Sequence, residues 1–336
     1  MKAIVLRELG EPNKLRSEEA PEPIPGPLEV VVRLKAAALN HRDLWIRQGL
    51  YADIQLPIIL GSDGSGEVVA LGSKVSTTLV GQPVLINPCL DWGPNPRVHQ
   101  PKMRILGMPT NGTYAQLVTV PAANLRPKPQ GLSFEEAAAL PLAAMTAYRA
   151  VVTKAKVRPG EAVLVNGIGG GVAIFAMQLA QAVGAQIVVT SGSEAKIHRA
   201  CKMGALGGVN YHDTDWSRKL RRLLDGRPLA VILDGSGGNM LEKALELIAP
   251  AGRIVSYGAT LGAIKQIEVR RIFWKQLTIM GSTMATPHEF DAFLQLYSER
   301  QLRPLIDQVF PLEEASLAHQ RMEKAQQFGK IVLAIS

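Results

Sequence analysis

Only two cysteines, Cys89 and Cys201, stand in the 336 residues, and neither belongs to a Cys-x-x-Cys pair. No disulfide framework can be built from them, which points to a reducing, cytoplasmic setting. Aromatic residues are scarce at 5%, so no aromatic-interleaved basic surface is visible that could stack nucleic-acid bases. No apolar run approaches the ~20 residues of a membrane span, and no membrane partner is expected. Residues 1–6 read straight into a strand, without the basic, apolar and small-residue order of a signal peptide. None of the six histidines pairs with another at ligand spacing, so no metal is expected.

What the chain does contain is glycine, 31 residues of it, in a background that is 47% hydrophobic and 20% charged. That balance is ordinary for a globular enzyme, and the glycine favours an α/β chain with many strand–helix turns. The length exceeds one comfortable core and predicts two domains. The net charge of +8 suits a nucleic acid or a polyphosphate cofactor equally well. Arg218, Lys219, Arg221 and Arg222 form the one tight basic cluster, on a predicted surface helix where such a run is a solvated face.

The layout changes partway along. Short apolar alternations at 30–34, 66–70 and 116–120, broken by Gly, Pro and Asn, predict a partly closed β-rich domain over 1–127. Residues 87–110 show little periodicity and read as a long loop. Ser133 and Glu136 have capping-box spacing, and an alanine-rich helix interrupted at Pro141 follows. From residue 161 strands and helices alternate, which predicts a doubly wound parallel sheet over 128–285. Residues 286–336 read as helix, strand, helix and a closing strand at 330–335 that needs partners in the first domain.

The strongest local signal is the turn Gly167, Ile168, Gly169, Gly170, Gly171, Val172, which follows the apolar run 162–165 and opens an amphipathic helix. Glycine permits the tight turn and the close approach of a pyrophosphate, whose charge then sits at the positive end of the helix. Inside a βαβ pattern this spacing predicts a dinucleotide site. The next strand says which one. An NAD site places Asp or Glu at its end, but here Ser191 and Ser193 stand there, with no acid before Glu194 and with Lys196 beyond. Hydroxyls and a cation attract a 2′-phosphate that a carboxylate would repel, so NADPH is the expected cofactor.

Several motifs spread along the chain carry a resemblance: residues 38–43 around Asn40 and Asp43, 61–66 around Ser62 and Asp63, 112–115, 146–149, and Gly329 with Lys330. In this order they are similar to the medium-chain dehydrogenase/reductase superfamily. The likeness is greatest to its zinc-free quinone oxidoreductases, through Asn40, Asp43 and Tyr51 and through Gly167, Gly170 and Ala173. It implies a Rossmann sheet joined to a β-rich GroES-like catalytic domain. The zinc alcohol dehydrogenases of that superfamily place their ligands where this chain has Asn40, Ser62 and Leu142, two neutral groups and an alkyl chain. Asp63 replaces the acid beside the second ligand.

By resemblance, Asn40 and Tyr51 line the nicotinamide pocket, with Tyr51 matching a tyrosine that acts as proton donor in some enoyl-thioester reductases. Thr146 matches a nicotinamide contact, Tyr211 a residue near the 2′-phosphate, and Lys330 a Gly-Lys near the cofactor. Gly258 and Ser282 follow later strands, where such sheets bind ligand. Without a Lewis acid, hydride addition to an activated double bond is favoured over alcohol oxidation. The expected activity is reduction of a quinone or α,β-unsaturated carbonyl by NADPH. A 2-enoyl-thioester reductase is the alternative enzyme, and an NADPH-binding structural or RNA-binding protein the alternative of another kind. An edge strand at 277–280 is expected to support a homodimer.

Overall fold

The computed structural model describes residues 1–336, which divide into two units: Met1–Ala143 with Thr286–Ser336, and Ala144–Ala285. The first is organised by the ten-residue strand Glu29–Ala38, buried along most of its length. It pairs antiparallel with Asp63–Leu71, Leu117–Pro121 and the closing strand Lys330–Ala334. Val30, Val32 and Leu34 feed one apolar core with Ile4, Leu6, Leu60 and Phe310. Ala36 and Ala38 face Ala138 and Ala139, whose small side chains let the helix Phe134–Ala138 lie close on the strand. That packing holds residues 128–143 in the first unit, whereas the sequence pattern placed the boundary before them.

Local chemistry explains the helix starts. Glu136 N–H donates to Ser133 Oγ at 3.1 Å and Ser133 N–H to Glu136 Oε2 at 2.9 Å, the reciprocal capping box that the spacing predicts. Pro141 opens a new helix, Pro141–Tyr148, where a missing N–H costs nothing. The stretch read as a loop over 87–110 carries two short paired strands, Cys89–Leu90 and Arg104–Ile105. With two residues each, they are too short for periodicity to register.

The second unit is a six-stranded, all-parallel sheet. Its spatial order is Gly207–Asn210, Gln186–Ser191, Ala162–Val165, Leu229–Asp234, Arg253–Ser256, Thr278–Gly281. The order reverses between Ala162–Val165 and Leu229–Asp234, the place where an open parallel sheet binds its ligand beyond the strand ends. Gly207–Asn210 escaped the sequence pattern because two of its four residues are glycine. Thr278–Gly281 is an edge strand. Nearby in the chain, Phe273 is 61% and Trp274 83% exposed. No helix is long and apolar enough to cross a membrane.

Candidate active site

The glycine turn sits at the reversal point. Gly167 has φ +71° and Gly169 φ +131°, conformations that L side chains avoid. Asn166, just before the turn, is tied to the neighbouring strands. Its Nδ2 donates to Asp234 Oδ1 at 3.2 Å, and its Oδ1 accepts from Thr190 Oγ1 at 3.3 Å. Gly167 N–H donates to Thr190 Oγ1 and Ile168 N–H to Thr190 O. Asp234 in turn accepts from the N–H groups of Ser236 and Gly237, and burial pushes its carboxyl above the usual range. Three strand ends are thus locked together under the turn.

The helix Gly171–Val183 begins there with Gly170 as its cap, and no side chain satisfies its first N–H groups. A Cβ on Gly170 would meet nothing within 4 Å, so space lies open over that end. Uncapped donors, a positive helix end and open space fit a dinucleotide pyrophosphate, with Gly167, Gly169, Gly170, Gly171 and Val172 as the cradle.

At the end of Gln186–Ser191, the buried Ser191 accepts Ser193 N–H at 3.2 Å, and Ser193 caps the next helix by accepting Lys196 N–H. A Cβ on Gly192 would lie 2.7 Å from His212 Nε2 and 2.8 Å from Tyr211 Oη. A side chain at this position would push aside these two polar tips, which converge on it. The Tyr211 and His212 rings meet edge-on at 4.8 Å. Ser191, Ser193 and Tyr211 are expected from the sequence, and His212 is not. Its only signal is adjacency to Tyr211. Thr146 lies buried in the helix Pro141–Tyr148. Gly258 follows the strand Arg253–Ser256 and its carbonyl accepts from Ser256 Oγ. Ser282 N–H bonds Ser256 O, while its buried Oγ has no protein partner.

In the first unit, Asn40 follows the strand Glu29–Ala38 and starts the short helix His41–Arg47. Its Oδ1 accepts from Lys330 Nζ at 2.8 Å, and its Nδ2 donates to Asp63 Oδ2 at 3.0 Å. Lys330 Nζ also donates to Asp63 Oδ2 at 2.9 Å and to Leu39 O at 2.7 Å. Asp63 Oδ1 accepts Leu142 N–H at 2.8 Å. Lys330 is 3% and Asp63 0% exposed. Lys330, expected near the cofactor, has its three ammonium hydrogens matched by three acceptors inside its own unit.

A second layer surrounds this one. Asp43 Oδ2 accepts Asn40 N–H at 2.8 Å and Tyr114 Oη at 3.0 Å. Burial lifts the Asp43 carboxyl, opposed by the Arg42 guanidinium, and raises the Tyr114 phenol well above its ordinary value. Arg42 donates to Ser62 Oγ at 2.8 Å and Leu106 O at 2.9 Å, and its guanidinium stands 5.3 Å from the centre of the half-buried Tyr51 ring. That contact braces the phenol by a cation–π interaction. Arg42 and Tyr114 carry no local signal, since their partners are distant in sequence.

Zinc does not fit this arrangement. Asn40 and Ser62 already face an ammonium and a guanidinium, so a divalent ion would meet two positive groups, and Leu142 offers an alkyl side chain. No group of three or more His, Cys, Asp or Glu is placed to hold a metal.

Comparison with known proteins agrees with both units. Residues 26–130 match the alcohol dehydrogenase GroES-like domain, and residues 171–299 match the zinc-binding dehydrogenase family. A zinc-type alcohol dehydrogenase-like protein of Leptosphaeria maculans is 34% identical, covering 94% of this chain and 92% of its own. The quinone oxidoreductase of Pseudomonas aeruginosa is 31% identical over 99% of both chains. A crystal structure of an NAD-dependent alcohol dehydrogenase, 42% identical, superposes over 100% of both chains with a TM-score of 0.93. The chain belongs to the medium-chain dehydrogenase/reductase superfamily, as an oxidoreductase resembling its zinc-free quinone oxidoreductases.

Proposed function

We propose that this protein is an NADPH-dependent reductase that delivers hydride to a quinone or another α,β-unsaturated carbonyl without zinc. The observation that carries the reading is the hydrogen-bonded pairing of Asn40, Asp63 and Lys330, which ties up the first zinc-ligand position, Asn40, with an ammonium and a carboxylate. The cofactor supplies two electrons and one hydrogen as hydride. Gly167, Gly169, Gly170, Gly171 and Val172 hold its pyrophosphate, and Ser191, Ser193, Lys196 and Tyr211 take its 2′-phosphate. Thr146, Gly258 and Ser282 serve the remainder of the nucleotide, with the unpartnered Ser282 Oγ as a ready hydrogen-bonding group.

Asn40 donates an amide N–H to the acceptor oxygen, where negative charge develops as the double bond is reduced. Tyr51 donates the proton that completes the two-electron reduction, its ring held by Arg42. Lys330 acts within the first unit as a positioning residue.

Oxidation of NADPH and of NADH, followed against quinones, enones, aldehydes and enoyl thioesters with and without chelator, tests the reading. Turnover of quinones or enones with NADPH, unaffected by chelator, is expected. Chelator-sensitive aldehyde reduction would overturn it, and a preference for NADH would remove the 2′-phosphate assignment. Tyr51→Phe should lower kcat roughly 100-fold with unchanged NADPH affinity, and an unchanged kcat removes Tyr51 from proton transfer.

The reading extends to assembly in a cytoplasmic setting. The edge strand Thr278–Gly281 and the exposed Phe273 and Trp274 suit pairing with a second copy across a two-fold axis. A dimeric mass in solution is expected, and a monomeric one overturns this.

A further inference from the structure

We infer that Asp63 and Lys330 fix the polarity of the Asn40 amide, so that Asn40 offers an N–H donor rather than a carbonyl to the acceptor. The inference rests on the proposed role of Asn40 at the acceptor oxygen.

An asparagine amide has two nearly isosteric faces, and its hydrogen-bond partners decide which one points where. Here both sides are specified. Asn40 Oδ1 lies 2.8 Å from an ammonium, and Asn40 Nδ2 lies 3.0 Å from a carboxylate oxygen. Turning the amide over would set Nδ2 against Lys330 Nζ, donor against donor, and Oδ1 against Asp63 Oδ2, acceptor against acceptor. Both contacts lie in a site where Asn40, Asp63 and Lys330 are all buried, so neither mismatch would be relieved by water.

The locked amide spends one Nδ2 hydrogen on Asp63 and keeps a second with no protein partner. That remaining hydrogen is the donor a developing oxyanion requires. The inverted amide would present a lone pair to the same charge.

The surrounding fold holds the two specifying groups in place. Lys330 begins the closing strand, which is registered against Glu29–Ala38 with Val332 opposite Ala38, and Leu39 N–H bonds Ile331 O at 3.0 Å. The lysine is thereby carried level with Asn40. Asp63 begins its own strand opposite Ala38 and is anchored through Oδ1 by Leu142 N–H. A buried ion pair adds little stability that well-packed apolar residues could not supply. A role in orienting a reactive amide gives this one a reason to exist.

Asp63→Asn is the discriminating variant. Leu142 N–H claims the side-chain oxygen of the new amide, which turns its NH2 toward Asn40 and sets donor against donor, so the upright amide is no longer specified from both sides. The experiment measures kcat at saturating NADPH and quinone, NADPH affinity by fluorescence titration, and thermal unfolding, for Asp63→Asn, Asn40→Leu and their combination. Asn40→Leu is expected to lose roughly 100-fold in kcat. Asp63→Asn is expected to lose roughly tenfold or more, with unchanged NADPH affinity. The combined variant should be no slower than Asn40→Leu alone, because the aspartate acts only through that amide.

Should the unpaired Lys330 prevent folding, Lys330→Met with Asp63→Asn removes both charges and takes the place of Asp63→Asn throughout. A folded variant with wild-type kcat overturns the inference, as does a loss that multiplies with Asn40→Leu or one confined to NADPH affinity. If Asn40→Leu itself leaves kcat unchanged, the proposed role of Asn40 fails instead.

Discussion

The two units build their candidate groups in opposite ways. In the second unit the proposed cofactor-holding groups are backbone N–H donors at a turn, set by consecutive glycines and a helix start. In the first unit they are side chains, set by partners far along the chain: Lys330 is 267 residues from Asp63 and 290 from Asn40. A backbone site depends on φ values that one residue type permits. A side-chain site depends on burial and on every partner being present. The two should therefore fail differently when altered.

The sharpest contrast comes from the turn. Valine at Gly169 must adopt φ +131°, a region essentially reserved for glycine and costly for a β-branched residue. The strain and the displaced backbone together should weaken NADPH binding roughly 100-fold or more, since each 1.4 kcal/mol is tenfold. Fluorescence titration of Gly169→Val measures this. Thermal unfolding should show the first unit intact, and NADPH affinity within a few-fold of wild type would break the contrast.

The same difference decides what could be read from the sequence. The glycine turn, the capping box at Ser133 and the missing acid after the second Rossmann strand are local, so their spacing alone locates them. Asn40, Tyr51 and Lys330 were reachable only through likeness to a family, and the likeness did not say what Lys330 touches. Arg42 and Tyr114 stay hidden because sequence carries no sign of a partner that folding brings in from elsewhere, and His212 shows only its adjacency to Tyr211. The first unit runs on to Ala143, past the residue 127 that the sequence pattern suggests, for a related reason. Alanines 138 and 139 look like any helix, and only the facing Ala36 and Ala38 show where that helix packs. Long-range strand pairing, including that of the closing strand with Glu29–Ala38, follows from the whole fold rather than from any window.

A smaller effect separates cofactor choice from cofactor binding. Lys196 lies in the first turn of the helix that Ser193 caps. Removing its charge should leave the backbone cradle untouched and weaken only the hold on the 2′-phosphate. Lys196→Ala should raise the Kd for NADPH roughly tenfold, a loss of about 1.4 kcal/mol, and leave NADH binding unchanged. Equal losses for both cofactors would place Lys196 outside the 2′-phosphate site. That result matters here, because the relative with 42% identity is named for NAD.

The last contrast is in pH dependence, and its effect vanishes at neutral pH. His319 is wholly buried in the first unit, edge-on to Tyr114, with no partner for either ring nitrogen. Burial, with Arg47 as a lesser cause, lowers its pKa to about 3. In the unfolded chain the imidazole titrates near 6.5. Below that value the unfolded state takes up a proton that the folded state refuses, so stability is complete above about pH 6.5 and is lost as pH falls toward 3. Each pH unit in this window costs roughly 1.4 kcal/mol. The raised pKa of Asp43 works with the opposite sign, because its folded form keeps a proton more readily than the unfolded chain does. His319→Leu removes the histidine contribution and leaves Asp43 in place. Denaturant unfolding between pH 7 and 4 should show the two proteins diverging below pH 6.5, with the variant losing less stability per unit. The glycine turn holds no comparable buried imidazole, so Gly169→Val should keep the wild-type dependence on pH. Parallel curves for wild type and His319→Leu would mean that water reaches the imidazole, and the first unit would then be less sealed than its burial indicates.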